Sequence, residues 1–84
     1  MIYVYVLRSS RDGHLYTGCT RDLQGRFALH NTGKVPSTRN RRPLELIYYE
    51  ASLNEQDAFR REKYLKTAYG KRFIKTRCQK YFTG

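Results

Sequence analysis

The sequence is poor in cysteine and has no long apolar segment. Its two cysteines, Cys19 and Cys78, cannot supply a four-ligand zinc site, and no second cysteine or histidine lies at ligand spacing from either. The N-terminal apolar run extends only from Ile2 to Leu7, too short for a signal-peptide core or a membrane span. We therefore expect a cytoplasmic protein without a zinc site, a structural disulfide or a membrane partner.

Acidic residues are also scarce. Seven Asp and Glu stand against 17 Lys and Arg, so the formal net charge is +10, and eight of the 84 residues are tyrosines. A strongly basic chain that is also rich in aromatic residues favours a polyanionic partner, most simply a nucleic acid. The length suits one small domain, and we expect residues 1–84 to form it.

The N-terminal part of the chain has the pattern of a β-hairpin. Ile2 to Leu7 is a run of β-branched and aromatic residues, which predicts a strand that is buried on both faces. Asp12-Gly13 is a two-residue turn signal, and Leu15 to Gly18 is the predicted returning strand. With such a turn, Tyr5 and Tyr16 lie on the same face of the sheet.

A helix is predicted next, with Thr20 as its N-cap and Gly33 as its end. At about 100° per residue, Arg26 and His30 fall within about 60° of Leu23, on or beside the stripe that faces the core. A solvated helix would direct an arginine and a histidine away from the core. We therefore consider both residues as candidates for a functional site.

The second half of the chain predicts one more strand and two helices. Leu44 to Ala51 is the predicted strand, and Asn54 is a capping residue before a helix from Glu55 to Tyr69. Gly70 is the predicted end of that helix, and a last helix is predicted from Lys71 to Phe82. The predicted fold is an α+β domain, order ββαβαα, in which three helices flank a small three-stranded antiparallel sheet.

One carboxylate falls in an apolar stripe. Glu62 follows Ala58 by one helical turn, in the middle of the apolar positions of its helix, where an unpaired carboxylate is costly. Two interpretations remain open. Glu62 and Arg26 form a buried ion pair, or both face a cleft in which the carboxylate holds a divalent metal ion and the guanidinium grips a phosphate.

Four short segments, in this order and spacing, resemble the GIY-YIG nuclease superfamily. They are "YVY" (residues 3–5), "YTG" (16–18), "RFALH" (26–30) and "RREKYLK" (60–66). The resemblance extends over most of the chain and is greatest to small stand-alone, UPF0213-like members. There are three departures: Tyr3 replaces the first glycine, Cys19 replaces a lysine that often follows the second motif, and no asparagine follows Glu62.

The resemblance implies roles for five residues. Tyr5 and Tyr16 correspond to the tyrosines of the two motifs, Arg26 to the arginine that holds the scissile phosphate, and His30 to a histidine or tyrosine one turn later. Glu62 corresponds to the single carboxylate that binds the metal ion, Mg²⁺ or Mn²⁺. Tyr16 is the candidate general base, and Tyr5 and His30 are candidates for positioning the water.

The expected function is metal-dependent hydrolysis of DNA phosphodiesters, with DNA favoured over RNA. The alternative is a nucleic-acid-binding module with the same fold and little turnover, and a partner protein is a further expectation because a chain of this length has no room for a specificity domain. Backbone phosphates are expected to be contacted by five basic residues, Lys34, Arg39, Arg41, Arg42 and Lys66.

Overall fold

A computed structural model describes the whole chain, from Met1 to Gly84. Three strands form one antiparallel sheet with the order β2-β1-β3. Their bounds are Ile2–Ser9 for β1, Leu15–Thr20 for β2 and Leu44–Ser52 for β3. The predicted α+β fold with a three-stranded antiparallel sheet is confirmed.

Four α-helices and one turn of 3₁₀ helix surround the sheet. Their bounds are Leu23–Asn31 for α1, Glu55–Leu65 for α2, Ala68–Arg77 for α3 and Gln79–Thr83 for α4, and the 3₁₀ turn spans Arg39–Arg41. The order agrees with the predicted one, except that a short fourth helix replaces the end of the last predicted helix. Each helix is too short or too polar to cross a lipid bilayer.

The alternating side chains of β1 supply two cores, one on each face of the sheet. On one face, β1 packs against α2 and α3 through Ile2, Val4, Val6, Ala58, Leu65 and Ile74. On the other face, it packs against α1 and the start of β3 through Tyr5, Leu7, Leu44, Leu23 and Phe27. A strand that is buried on both faces was predicted from the unbroken apolar run, and the structure confirms it.

The hairpin turn is longer than predicted, but the faces agree with the prediction. Ser9 N donates to His14 O (3.0 Å), so four residues rather than two form the loop. The predicted loop and the observed loop both have an even number of residues. The same side chains of β1 and β2 therefore share a face in both cases. Tyr5 lies opposite Gly18 and Leu7 lies opposite Tyr16, which puts both tyrosines on one face.

Helix α1 begins two residues later than predicted. Asp22, not Thr20, is its N-cap, because the Asp22 carboxylate accepts from Gly25 N at 3.1 Å. Thr20 accepts from the backbone N–H of Asp22 instead, and so stabilises the turn before the helix. The predicted end at Gly33 is confirmed, since this glycine has a φ of +78° just after the last helical turn.

The helix predicted from Glu55 to Tyr69 begins at Glu55 as expected, but its predicted end is wrong. Helix α2 ends at Leu65, and Thr67 caps α3 by accepting from Gly70 N at 3.1 Å. Gly70 therefore lies in the first turn of α3 rather than at the end of α2. A Cβ on Gly70 would overlap with the backbone of Tyr64 and Leu65, so the glycine permits the close reversal between the two helices.

We predict that Gly70→Ala lowers the free energy of unfolding by about 1–3 kcal/mol, because backbone atoms cannot move aside as a flexible side chain can. Thr76→Ala, at an exposed position of the same helix, is the matched control and should change it by less than about 0.5 kcal/mol. Urea denaturation measures both. Equal stabilities for Gly70→Ala and the wild-type protein would contradict the packing argument.

Candidate active site

The Tyr5 phenol lies directly over Gly18. These residues face each other across β1 and β2, and a Cβ on Gly18 would overlap with the phenol ring and its hydroxyl. The Tyr5 side chain is 1% exposed. The glycine of the "YTG" segment thus leaves room for the tyrosine of the "YVY" segment, and the two motifs are parts of one packing arrangement.

His30 is fully buried and connects three segments of the chain. Its Nε2 lies 2.9 Å from the Tyr5 hydroxyl oxygen, and its Nδ1 lies 2.7 Å from Oγ1 of Thr38. The Tyr16 ring meets the imidazole edge to face, with 5.1 Å between the ring centroids. Strands β1 and β2, helix α1 and the loop that follows α1 therefore all contact this one imidazole.

The imidazole of His30 is neutral at ordinary pH. Burial, together with the positive charge of Arg26, lowers the pKa of His30 to about 4. A neutral imidazole has one N–H donor and one acceptor nitrogen. One of the Tyr5 and Thr38 hydroxyls therefore accepts the ring N–H of His30, and the other donates to the unprotonated ring nitrogen.

The Tyr5 hydroxyl contacts His30 and lies within the electrostatic reach of the other three predicted site residues. Burial raises the pKa of Tyr5, although Arg26 acts in the opposite direction. The charges of Tyr16 and Glu62 also act on this hydroxyl and raise its pKa further. Tyr5 therefore keeps its proton.

Arg26 and Glu62 do not form an ion pair with each other, so the first of the two interpretations of these residues is wrong. Arg26 takes part in none of the ion pairs in the structure. The Glu62 carboxylate, with its side chain 23% exposed, instead lies 3.4 Å from Nζ of Lys66, one turn further along α2. The guanidinium at the site is thus free to bind an anion.

The donor set suits a divalent ion that takes one ligand from the protein. No three His, Cys, Asp or Glu side chains are grouped anywhere in the chain, so Glu62 does not belong to a preformed set of three ligands. Mg²⁺ is commonly held by one or two carboxylates, with water and substrate phosphate oxygens completing its shell. The Glu62 carboxylate is partly exposed and already has the Lys66 ammonium as a neighbour, so a cation can approach it.

Cys19 stands near Glu62, at the position where the resemblance to the GIY-YIG superfamily leads us to expect a lysine. Burial raises the pKa of the Cys19 thiol, and the negative charge of Glu62 acts in the same direction. The thiol consequently stays protonated and cannot replace the positive charge of a lysine.

The predicted phosphate-contacting residues do not share one environment. Lys34, Arg39 and Arg42 are exposed on the loop after α1. Arg41 is half-buried and lies 3.5 Å from the Asp12 carboxylate, while Lys66 pairs with Glu62. The loop is held by a buried Thr38, which sequence reasoning missed, because a threonine between a proline and several arginines gives no sign of burial.

Comparison with known proteins agrees with this architecture. A family model described as the GIY-YIG catalytic domain matches residues 1–79. A UPF0213 protein of Bacillus pumilus (strain SAFR-032) is 47% identical over 66 residues, which is 77% of this chain and 66% of that protein. The UPF0213 protein SAG0778 of Streptococcus agalactiae serotype V is 49% identical over 65 residues, which is 76% of this chain and 73% of that protein.

A solved relative has the same fold. The solution NMR structure of the UPF0213 protein BH0048 from Bacillus halodurans is 34% identical, with a TM-score of 0.57 over 90% of this chain and 84% of that one. The family model covers nearly all of the chain, and the suspected resemblance is confirmed. The chain therefore belongs to the GIY-YIG family, whose domain is of the nuclease type.

Proposed function

We propose that this protein is a metal-dependent endonuclease that hydrolyses phosphodiester bonds of DNA. The observation that carries the proposal is that Tyr5 and Tyr16 both contact His30, while the charges of Arg26 and Glu62 both act on the Tyr5 hydroxyl. Phosphodiester hydrolysis needs an activated water, donors for the phosphoryl oxygens and relief for the leaving oxygen. These residues supply all three needs within one site.

Arg26 binds the scissile phosphate. Its guanidinium has several N–H donors and no carboxylate partner in the protein, so it can donate to the non-bridging oxygens as negative charge increases on them. Its side chain is half-buried near the Tyr5 hydroxyl, so it is partly oriented before the substrate arrives. A donor that is already oriented needs less reorganisation during the reaction.

Tyr16 takes the proton of the attacking water. Tyr16 acts as its phenolate: the water oxygen forms the new bond to phosphorus, the bond to the leaving oxygen breaks with its electron pair on that oxygen, and the water proton passes to the phenolate oxygen of Tyr16. Tyr16 is half-buried, whereas Tyr5 is buried, keeps its proton and is occupied by His30. Tyr5 and His30 are therefore positioning residues in this proposal, and Tyr16 is the base.

Glu62 holds the metal ion, which we propose is Mg²⁺ or Mn²⁺. When bound, the ion would stabilise negative charge on the leaving oxygen. The Lys66 side chain is 56% exposed and so can turn from Glu62 toward a phosphate of the substrate. Further phosphate contacts come from the exposed residues of the loop, Lys34, Arg39 and Arg42, with Arg41 at its base.

A second candidate is a nucleic-acid-binding module with little turnover, whose substrate is chosen by a partner protein. Two observations favour this candidate. Glu62 is paired with Lys66, so its carboxylate is not free. Cys19 is a protonated thiol, so it carries no charge where a lysine would supply one. The net charge of +10 serves either function equally.

A cleavage assay with purified protein, labelled DNA and Mg²⁺ distinguishes the endonuclease from the binding module. Arg26→Ala and Glu62→Gln should each lower the cleavage rate by about 10²–10³-fold, because each removes charge stabilisation of the transition state. Arg60→Ala and Glu55→Gln are matched controls on exposed positions of α2 and should leave the rate unchanged. DNA binding without products in all five proteins would favour the binding module, and equal cleavage by all five would indicate a contaminating nuclease.

Tyr16→Phe should lower the cleavage rate by about 10²–10⁴-fold, the usual contribution of a general base, and should change the shape of the pH–rate profile. Tyr5→Phe removes a positioning hydroxyl and should reduce the rate while the shape of the profile is retained. The two profiles, measured side by side, test the assignment. A wild-type rate and profile for Tyr16→Phe would rule out Tyr16 as the base.

The low pKa of His30 makes stability depend on pH. The folded pKa is about 4, below the ordinary 6.5, so the unfolded chain binds the proton more readily. The stability that His30 contributes is complete above pH 6.5 and decreases as the pH falls toward 4. Urea denaturation of the wild-type protein and His30→Gln should show a difference that shrinks over this range, and a constant difference would contradict a neutral buried imidazole.

A further inference from the structure

An open cleft of about 380 Å³ lies between the β1–β2 turn and α3. Its lining is basic and contains no carboxylate: Gly13, His14, Leu15, Arg41, Lys71 and Lys75. None of the five residues proposed for catalysis belongs to it. The cleft is therefore a separate concentration of positive charge.

Arg41 is held in place at the rim of this cleft. Its Nε lies 3.5 Å from the Asp12 carboxylate, and its Nη2 donates to Leu15 O at 3.5 Å. Its backbone carbonyl accepts from the Ser9 hydroxyl at 2.6 Å. Nη1 has no partner in the protein, so one edge of the oriented guanidinium is free to bind an anion.

Lys71 and Lys75 line the opposite side of the cleft. They lie one turn apart on α3, on the same face of the helix, and neither takes part in any ion pair of the structure. Like charges four residues apart on a helix repel each other. An anion between the two lysines and Arg41 would relieve this repulsion. Asp12 pairs with Arg41 but is not part of the cleft lining, so it does not neutralise the lysines.

The position of the cleft connects it to the proposed active site. Leu15 directly precedes Tyr16 on the edge strand β2, with its side chain on the opposite face of the sheet, and Arg41 belongs to the same loop as Thr38, which bonds to His30. A nucleic-acid strand bound at the site carries further phosphates on both sides of the cleaved bond, at regular spacing. A strand that follows the outer edge of β2 toward the hairpin turn would bring one of these phosphates to the cleft.

We propose that this cleft binds a backbone phosphate of the nucleic acid, a few nucleotides from the bond that is cut. The proposal rests on the proposed function and identifies where the substrate runs beyond the catalytic residues. No Phe, Tyr or Trp side chain lines the cleft, so it lacks the large aromatic surfaces on which bases usually stack. The contact consequently positions the strand without reading its sequence.

The test compares two double variants with equal loss of charge. Lys71→Ala/Lys75→Ala removes the two lysines of the cleft, and Lys63→Ala/Lys80→Ala removes two exposed lysines elsewhere on the helices. Binding of a short labelled DNA duplex is followed by fluorescence anisotropy over a range of salt concentrations, in EDTA so that no metal-dependent cleavage occurs. Thermal denaturation verifies that both variants are folded.

Loss of the cleft lysines should weaken binding by about 10-fold and reduce the slope of log K against log salt by about 1, as for one lost phosphate contact. The control should keep the wild-type slope. In the wild-type protein, amide NMR signals of Gly13, His14 and Leu15 should shift on addition of the duplex, a result that does not depend on the folding of any variant.

Equal slopes for the two double variants, or unshifted amides, would overturn the proposal. Saturable binding of inorganic phosphate in the cleft, with DNA binding unchanged by Lys71→Ala/Lys75→Ala, would assign it to a free anion and overturn it as well. Cleavage with Mg²⁺ is measured separately. A wild-type protein that binds DNA without cutting it would contradict the proposed function and leave the slope comparison valid.

Discussion

The two hydrogen bonds of His30 fix the site, and the rest of the arrangement depends on them. A buried imidazole is costly unless both nitrogens have partners, and here Tyr5 and Thr38 supply them. The bonds thereby join β1, α1 and the loop after α1, which are distant in sequence. Because the imidazole is neutral, it offers one donor and one acceptor nitrogen to these two hydroxyls.

The charges of the site are kept apart in a way that favours ligand binding. A direct ion pair between Arg26 and Glu62 would satisfy both groups and leave little for a phosphate or a metal ion. Instead, Glu62 pairs with Lys66, whose side chain is mostly exposed. Exposed pairs of this kind contribute little to stability, so opening the pair when a substrate arrives costs little.

The positions that the sequence predicted correctly follow from short-range periodicity. Tyr5 and Tyr16 share a face because every even hairpin loop preserves the alternation of side chains, so the error in loop length did not affect the site. Arg26 and His30 were placed by the helical period alone, and Gly33 by its place after the last turn. These inferences need only the geometry of a single element or hairpin.

The errors occurred where a contact between distant segments decides the structure. Tyr69 continues the apolar spacing of α2, yet it is 69% exposed, because the helix ends at Leu65 and Thr67 caps a new one. Gly70 indicated a helix end, but its actual role is close packing against the backbone of α2. The bond from His30 to Thr38 is likewise invisible in the sequence, since nothing local distinguishes Thr38 from other loop residues.

The strand order explains how side chains from opposite layers reach one site. Helix α1 packs on one face of the sheet and α2 on the other, so a central strand would separate Arg26 from Glu62 by the thickness of the sheet. Strand β2 is an edge strand, and side chains from both layers can meet around its outer side. Gly18 adds no side chain at this point and leaves the space to the Tyr5 phenol. The proposed joint action of Arg26 and Glu62 therefore depends on the edge position of the strand that carries the second motif.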